Sequence, residues 1–260
     1  MTMKKTRQVL ESEAETKERT KYGKVTKDVR PHTSDMWLRE LILALTSALM
    51  LLVNLIFLIR HFKLSYSAYV LPCFFLGLLT ADFQSAFIHW VVDTYFSSET
   101  PILGPAIVRP FRLHHFAPTQ ITYNDYLRTY GDAAVFTTPH LLFTMWILCF
   151  YSLESKFVYF LVLWIFSYSL VGYGVNQFHQ WAHTHGRPIP AAAEFLQKLG
   201  LILPKDHHRK HHTPPHDCNY CIVAGLVDGP LEAINFWRRL ENVVESVTGV
   251  KPRIHTTVKT

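Results

Sequence analysis

Four long apolar stretches dominate the pattern of hydrophobic and polar positions along the chain. They cover residues 41–59, 68–90, 133–151 and 157–176, and their only acidic, basic or imidazole side chains are Asp82, His89 and His140. A helix of about 20 residues, rising about 1.5 Å per residue, crosses the roughly 30 Å hydrocarbon core of a bilayer. The pattern therefore predicts an all-α integral membrane protein with four transmembrane helices.

The regions outside these stretches show two further patterns. Residues 1–35 alternate acidic and basic side chains with few apolar ones, which is typical of a disordered arm. Residues 191–203 and 231–247 repeat apolar positions every three or four residues, which predicts amphipathic helices. We therefore expect a disordered cytosolic arm at 1–35, a membrane domain with a cytosolic helical cap at 36–253, and a tail at 254–260.

Lysine and arginine are distributed unevenly between the connecting segments. Residues 1–40, 91–132 and 177–260 carry 10, 3 and 10 of the 26, whereas the short connections at 60–67 and 152–156 carry three between them. Because basic loops are retained in the cytosol, this distribution predicts that both termini and the central loop are cytosolic. The net charge of +6 then favours contact with the phospholipid bilayer surface, and no nucleic acid partner is expected.

Histidine is frequent, with 15 residues in the chain, and most of these occur in tight groups. Each group falls at the predicted cytosolic end of a span or in a predicted cytosolic segment, so residues that are remote in sequence could meet at one membrane depth. Isolated histidines such as His61 and His140 lack a second histidine at ligand spacing. The predicted metal ligands are His89, His114, His115, His179, His183, His207, His208, His211, His212 and His216.

The spacing within the groups suits metal binding. His179 and His183 are four residues apart, so on a helix both imidazoles project from one face about 6 Å apart. His208, His211 and His212 have the same property through spacings of three and four. Imidazole binds iron, copper and zinc, and this many imidazoles exceed the needs of one ion. The sequence therefore predicts a site for two metals.

Two acidic residues and an asparagine extend these faces. Asp82, His89 and Asp93 are separated by seven and four residues, so on a helix His89 and Asp93 each point within about 20° of the direction of Asp82. Asp93 could bind a metal or orient a ligating imidazole, whereas a structural role is favoured for Asp82. Asn176, one turn before His179, could position a metal-bound water or form an interhelical hydrogen bond. Asp93 and Asn176 are the candidate catalytic residues.

A membrane protein with this ligand set is suited to oxidative chemistry. Removing hydrogen from an unactivated methylene group requires a strong oxidant, which dioxygen activated at iron supplies. A catalytic zinc site would need its own base or nucleophile, and no H-E-x-x-H motif is present. The histidine pattern therefore favours a di-iron oxidoreductase.

Seven strings between about residues 70 and 253 carry a family resemblance. They resemble the plasmanylethanolamine desaturases, in a wider family that includes a plant plastid desaturase of phosphatidylglycerol. The plant pattern is similar at most of the predicted ligands and differs more at His207 and His216. The strings are ADFQS (81–85), HWVVDT (89–94), FRLHH (111–115), PTQIT (118–122), NQFHQWAHT (176–184), ILP (202–204) and FWRRLE (236–241).

The resemblance implies a specific reaction. Two iron ions, reduced through cytochrome b5, would use O2 as co-substrate to remove hydrogens from C1 and C2 of the sn-1 O-alkyl chain of plasmanylethanolamine. The product would be the cis vinyl ether of a plasmalogen, and the expected location is the endoplasmic reticulum membrane. C1 and C2 lie beside the glycerol at headgroup depth, which is the depth at which we expect the histidine groups to meet.

Two alternatives remain open from the sequence. The first is an acyl-lipid desaturase that places a double bond near the carboxyl end of a phospholipid acyl chain. The second, from another class, is a histidine-rich metal transporter or sensor. Against the second, the histidine groups are predicted at one membrane face, and no polar stripe crosses all four spans.

Overall fold

The computed structural model describes residues 34–253, so the tail at 254–260 and all but the end of the predicted arm at 1–35 lie outside the described residues. Within 34–253 the regular secondary structure is helical, without strands. The α-helices are α1 (Ser34–Arg60), α2 (Ser67–Thr94), α3 (Arg109–Phe116), α4 (Tyr126–Phe150), α5 (Lys156–Tyr173), α6 (Val175–His183), α7 (Ala191–Lys198), α8 (Lys205–His211), α9 (Asp228–Ala233) and α10 (Phe236–Thr248).

Four helical stretches of the described chain are long and apolar enough to cross a membrane. They are Met36–Arg60, Leu64–Thr94, Tyr126–Phe150 and Lys156–His183. Large apolar side chains such as Leu45, Leu49 and Leu142 are exposed on them, as expected of helices that face lipid instead of water. The prediction of an all-α protein with four candidate membrane-spanning helices is confirmed.

The described residues form two compact units. The membrane unit comprises residues 34–84 and 124–180, and the histidine unit comprises residues 85–123 and 181–253. The division falls within α2 and within α6, so each of these helices contributes residues to both units.

The membrane unit has an apolar core made by side chains from its long helices. Leu51 of α1, Leu141 of α4 and Val162 of α5 are buried there. Polar side chains within this unit form hydrogen bonds with one another, as between the hydroxyls of Ser47 and Thr138 at 2.9 Å. Such pairs are needed because hydrocarbon offers no hydrogen-bond partner to a polar group.

The histidine unit has an aromatic core around the last turns of α2. Trp90 stacks on Trp237 of α10 with ring centroids 5.3 Å apart, and Tyr220 packs edge-on against Trp237 at 5.4 Å. The indole nitrogen of Trp90 donates a hydrogen bond to buried Glu241 at 3.3 Å. Arg238 donates to both oxygens of Glu241 at 2.8 Å, which balances the buried carboxylate. These contacts bind α10 to the part of α2 that carries the first predicted metal ligand.

Gly77 of α2 lies where α5 approaches closely within the membrane unit. A Cβ atom there would lie 2.6 Å from the backbone nitrogen of Tyr168 and 2.7 Å from the Cβ of Ser167. Although alanine normally favours a helix over glycine, we expect Gly77→Ala to destabilise the protein by about 1–3 kcal/mol through overpacking. The thermal unfolding midpoint of the purified protein in detergent measures this. Gly229→Ala is the control, since a Cβ at Gly229 meets nothing within 4 Å, and equal midpoints for the two variants would contradict the prediction.

Candidate metal centre

The last turns of α2 supply the first two candidate ligands. His89 and Asp93 are four residues apart and therefore lie on the same face of the helix. Their side chains are 2% and 7% exposed, so both polar groups are removed from water. The imidazole Nε2 of His89 lies 3.8 Å from the carboxylate Oδ2 of Asp93.

α3 supplies two adjacent histidines. This helix of eight residues follows directly on the helical segment Gly104–Val108 and has Pro110, whose ring fixes a helical backbone angle, in its first turn. It ends with His114 and His115 in its last turn. Consecutive helical residues differ by about 100° in direction, so these two side chains can serve different groups.

α8 supplies ligands at spacings of three and four. Its N-cap is Pro204, in an extended conformation that cannot continue a preceding helix. His208 and His211 of this helix are buried, and His212 is its C-cap. The helix begins after Pro204, and its spacing places the imidazoles of His208, His211 and His212 on one face, with the first two buried.

α6 carries the remaining pair. The preceding helix α5 ends at Gly174, its C-cap, and α6 begins at Val175. His179 and His183 lie one turn apart on α6, and both are buried. Because the helix is continuous through both residues, the spacing predicted from the sequence is the spacing in the structure.

The potential ligand atoms of these helices gather into two groups. Within each group, one ligand atom of every member lies within 4.8 Å of those of the others. The groups are adjacent, since the ring centroids of His211 and His212, neighbours in sequence, are 5.5 Å apart. Group 1 contains His114, His179, His183, His208 and His212, and group 2 contains His89, Asp93, His115 and His211.

Group 1 consists entirely of imidazoles. The Nε2 atoms of His208 and His212 are 3.0 Å apart, and the ring centroid of His183 is 4.6 Å from each of their rings. Two nitrogen ligands of one ion, each about 2.1 Å from it, are between about 3.0 and 3.4 Å apart for octahedral and tetrahedral angles. The observed separation fits two ligands of a shared ion.

Group 2 combines imidazoles with a carboxylate. The Oδ2 atom of Asp93 lies 3.5 Å from Nε2 of His115 and 3.8 Å from Nε2 of both His89 and His211. The Nε2 atoms of His115 and His211 are 3.1 Å apart. One oxygen and three nitrogens thus converge on a common point, as the ligands of an ion do.

Buried polar atoms in both groups lack hydrogen bonds, which is the test of whether these residues fit a metal. Several such atoms have no hydrogen-bond partner among the described residues. They include both ring nitrogens of His89, both carboxylate oxygens of Asp93 and Nδ1 of His212. A buried polar group without a partner costs about 1–3 kcal/mol. Coordination to a cation would satisfy several of these atoms at once, so the residues fit a metal.

Hydrogen bonds donated to backbone carbonyls fix which nitrogen of two histidines is protonated. Nδ1 of His211 lies 3.0 Å from the carbonyl oxygen of Cys218, and Nδ1 of His216 lies 2.8 Å from the carbonyl oxygen of His211. A carbonyl only accepts, so Nδ1 carries the hydrogen in each case. The neutral ring then has a lone pair on Nε2, and in His211 that atom points into group 2. The sequence gives no sign of this, because any residue could supply the carbonyl.

Burial keeps these imidazoles uncharged. It lowers the pKa of His211 to about 4, in spite of the Cys218 carbonyl, and lowers the pKa of His115 well below its ordinary value. Burial and the neighbouring histidines lower the pKa of His212 to about 2. At neutral pH all three side chains are therefore in the neutral form, which is the form that binds a metal.

Two of the predicted histidines fall outside both groups. Nε2 of His207 lies 2.7 Å from Oδ2 of buried Asp228, and the amide of Asn219 lies 2.8 Å from the same nitrogen. His216 is closer to the groups, since its ring centroid lies 4.7 Å from that of His115. The carboxylate partner of His207 could not be identified from the sequence. A role as metal ligand remains a prediction for both His207 and His216.

The other singled-out polar residues belong to the membrane unit. The side-chain amide of Asn176 donates a hydrogen bond to the carbonyl of Thr129 on α4 at 3.2 Å, which matches the interhelical alternative considered from the sequence. Asp82 is fully buried and belongs to neither group. A role for Asn176 beside a metal-bound water stays a prediction.

A family model and several relatives match the chain. The model of the lipid desaturase domain matches residues 78–255. Plasmanylethanolamine desaturase 1 of Mus musculus is 39% identical over 201 residues, which are 77% of this chain and 74% of the mouse protein. The family resemblance predicted from the sequence is confirmed.

More distant relatives extend the comparison. Plasmanylethanolamine desaturase of Myxococcus xanthus is 36% identical over 192 residues, 71% of this chain and 63% of the bacterial protein. The chloroplastic fatty acid desaturase 4 of Arabidopsis thaliana is 31% identical over 180 residues, 68% of this chain and 52% of the plant protein. No solved structure matches the chain.

Asp93 is expected to bind a metal directly, because its Oδ2 atom faces three imidazole nitrogens at 3.5–3.8 Å. Loss of a ligand should empty one metal position, whereas loss of a residue that only orients a ligand lowers affinity or activity about 10–100-fold. We therefore expect Asp93→Asn to lose about half of the bound metal, measured by elemental analysis of the purified protein. Asp206→Asn is the control, since this side chain is 86% exposed, and should keep all of it. Full metal content in Asp93→Asn would assign Asp93 an orienting role instead.

Proposed function

The chain belongs to the lipid desaturase family, and from that premise we propose that it forms the cis vinyl ether of a plasmalogen. The substrate is plasmanylethanolamine, and the double bond is placed between C1 and C2 of its sn-1 O-alkyl chain. Two adjacent groups of buried imidazoles, one of them with a carboxylate, are the observation that carries this proposal. The mouse and Myxococcus xanthus relatives, which are named plasmanylethanolamine desaturases, supply the substrate class.

The metals in this proposal are two iron ions. When bound, iron would supply the activation of O2 that removal of hydrogen from a methylene group requires. Two hydrogens leave the alkyl chain, and O2 takes them up with two further electrons and two protons to give two molecules of water. We propose cytochrome b5 as the source of those electrons.

The residues of the chain have separable roles in this reaction. The histidines of group 1 and the three histidines of group 2 would hold the metals with neutral side chains, which would leave the charge of the two ions unneutralised by these ligands. Asp93 adds one negative charge to group 2 only, which makes the two metal positions electrostatically different. The Cys218 carbonyl holds the ring of His211 in one tautomer and one orientation.

The proposed location is the endoplasmic reticulum membrane with both termini in the cytosol. The chain has four candidate membrane helices and is a multi-pass membrane protein. The concentration of lysine and arginine in residues 1–40, 91–132 and 177–260 supports a cytosolic position for these segments. A soluble electron donor domain would then reach the side of the membrane on which the metal-binding segments lie.

A second candidate within the same family is an acyl-lipid desaturase. The relatives from Arabidopsis thaliana are named fatty acid desaturases, and they match this chain at 30–31% identity. The higher identity of 39% to the mouse protein favours the ether lipid as substrate. Membership in a desaturase family excludes the metal transporter or sensor considered from the sequence.

Expression of the chain in a cell that lacks plasmalogens tests the substrate. We expect acid-labile vinyl ethers to appear, because the cell supplies the alkyl ether phospholipid and the chain converts it. Lipid mass spectrometry before and after mild acid measures the product.

A variant that lacks one predicted metal ligand provides the control. His208→Ala, which removes a buried member of group 1, should abolish the vinyl ethers at equal protein levels. New double bonds in acyl chains, with the ether lipids unchanged, would support the second candidate and refute the first.

The proposed orientation has its own test. An N-glycosylation site introduced near residue 5 or residue 258 should remain unmodified, because the glycosylating enzyme acts on the lumenal side. A matching site inserted between residues 152 and 156, in a predicted lumenal connection, is the positive control if it is extended by a flexible linker. Glycosylation at either terminus would overturn the orientation.

A further inference from the structure

Two arginines precede the paired histidines on the same short helix. Arg109 and Arg112 are three residues apart on α3, so their side chains leave neighbouring positions on one side of it. His114 and His115, which belong to group 1 and group 2, follow in the last turn. Two cationic side chains therefore start within two turns of ligands to both proposed metals.

A hydrogen bond fixes the position of one of these arginines. Nη2 of Arg112 donates to the backbone carbonyl of Asp93 at 2.6 Å. The guanidinium group thus lies at the end of α2, beside the residue that contributes the carboxylate of group 2. Nη1 of Arg253 donates to the carbonyl of Phe96 at 2.7 Å, so a further positive charge lies close by.

Neither arginine uses all of its donors. The Nε atoms of Arg109 and Arg112 are buried and have no hydrogen-bond partner among the described residues. The Asp93 carboxylate does not accept these hydrogens, since neither of its oxygens forms a hydrogen bond within that same range. The hydrogen bond to the Asp93 carbonyl at the end of α2 uses Nη2 of Arg112, and the Nε atom of Arg112 still has no acceptor. An acceptor with several oxygens would explain both atoms.

The proposed substrate carries such an acceptor at a suitable distance. Six bonds separate C1 of the sn-1 alkyl chain from the phosphorus of the headgroup phosphate, through the ether oxygen and the three glycerol carbons. At about 1.2 Å of extension per bond, the separation is about 7 Å. A group that binds the phosphate must therefore lie close to the metals that oxidise C1 and C2, and Arg112 contacts the backbone of one of the group 2 residues.

We propose that Arg112, together with Arg109, binds the phosphate of the glycerophospholipid substrate. This assignment rests on the proposed function for the identity of the lipid. Guanidinium groups suit phosphate because their planar donors pair with two of its oxygens at once. Bound in this way, the phosphate places the first carbons of the sn-1 chain at the metals, so that Arg109 and Arg112 select the position of the double bond.

Lipid binding to the purified full-length protein tests the proposal without turnover. The probes are a fluorescent 1-O-alkyl-2-acyl phosphoethanolamine lipid and the matching 1-O-alkyl-2-acylglycerol, which lacks the phosphate. Each is titrated in neutral detergent with metal-loaded and with metal-free protein. The variants are Arg112→Gln, Arg109→Gln and Arg112→Lys. Arg187→Gln is the matched control, because Arg187 likewise donates to a backbone carbonyl, that of Thr122 at 3.3 Å.

We expect the wild-type protein to prefer the phospholipid, and Arg112→Gln to weaken phospholipid binding by about 10-fold or more. Binding of the phosphate-free lipid should stay within about twofold. Arg112→Lys keeps the positive charge and a donor for the Asp93 carbonyl, so it should lose less affinity for the phospholipid than Arg112→Gln. It therefore keeps the test valid if Arg112→Gln does not fold. Arg187→Gln should match wild type with both lipids.

Three results would overturn the proposal. The first is a wild-type protein that binds both lipids equally, and the second is a loss of both lipids in parallel in Arg112→Gln and Arg112→Lys, which indicates a structural role. The third is displacement of the phospholipid by inorganic phosphate at an equal concentration, which indicates a site for a soluble anion. Phosphate-dependent binding by a protein that forms no vinyl ether in cells would refute the proposed reaction and leave the phosphate site standing.

Discussion

The convergence of buried imidazoles and a buried carboxylate on two small volumes is the constraint on which the rest of the histidine unit depends. Removing such groups from water is unfavourable unless each gains a strong partner. The side chains of His89 and Asp93 form no hydrogen bond with the described residues, so the protein itself supplies little of that compensation. Metal coordination would therefore stabilise the fold as well as serve the proposed reaction, and binding of the metal would be coupled to folding of this unit.

This constraint explains why short helices surround the site. α3 has eight residues and α8 has seven, and both end in the histidines they contribute. Isolated helices of this length are unstable in water because nucleation is costly. Pro110 and Pro204 restrict the backbone at their beginnings, and metals bound at their ends would supply stability that length does not.

Much of this arrangement could be predicted from sequence, because it depends on periodicity. Hydropathy alone located the four membrane helices, and spacings of three and four placed His179 with His183 and His208 with His212. Which of two adjacent histidines faces a metal depends on tertiary contacts, and periodicity holds no information about those. His207 and His208 are such a pair, since buried Asp228 lies beside the first and group 1 contains the second.

The two groups differ in charge, and in the proposed reaction that difference would influence at which metal oxidation starts. Group 1 has only neutral ligands, whereas Asp93 brings a carboxylate to group 2 and lowers the positive potential at that ion. Arg112 lies beside Asp93 and partly offsets its charge, and burial of the Asp93 side chain limits screening by solvent. A phosphate bound to Arg112 would neutralise the arginine's positive charge, so that charge would no longer offset the negative charge of Asp93. With the proposed phosphate site, the electrostatic environment of group 2 would depend on whether substrate is bound, which would link recognition of the headgroup to the reactivity of the nearer metal.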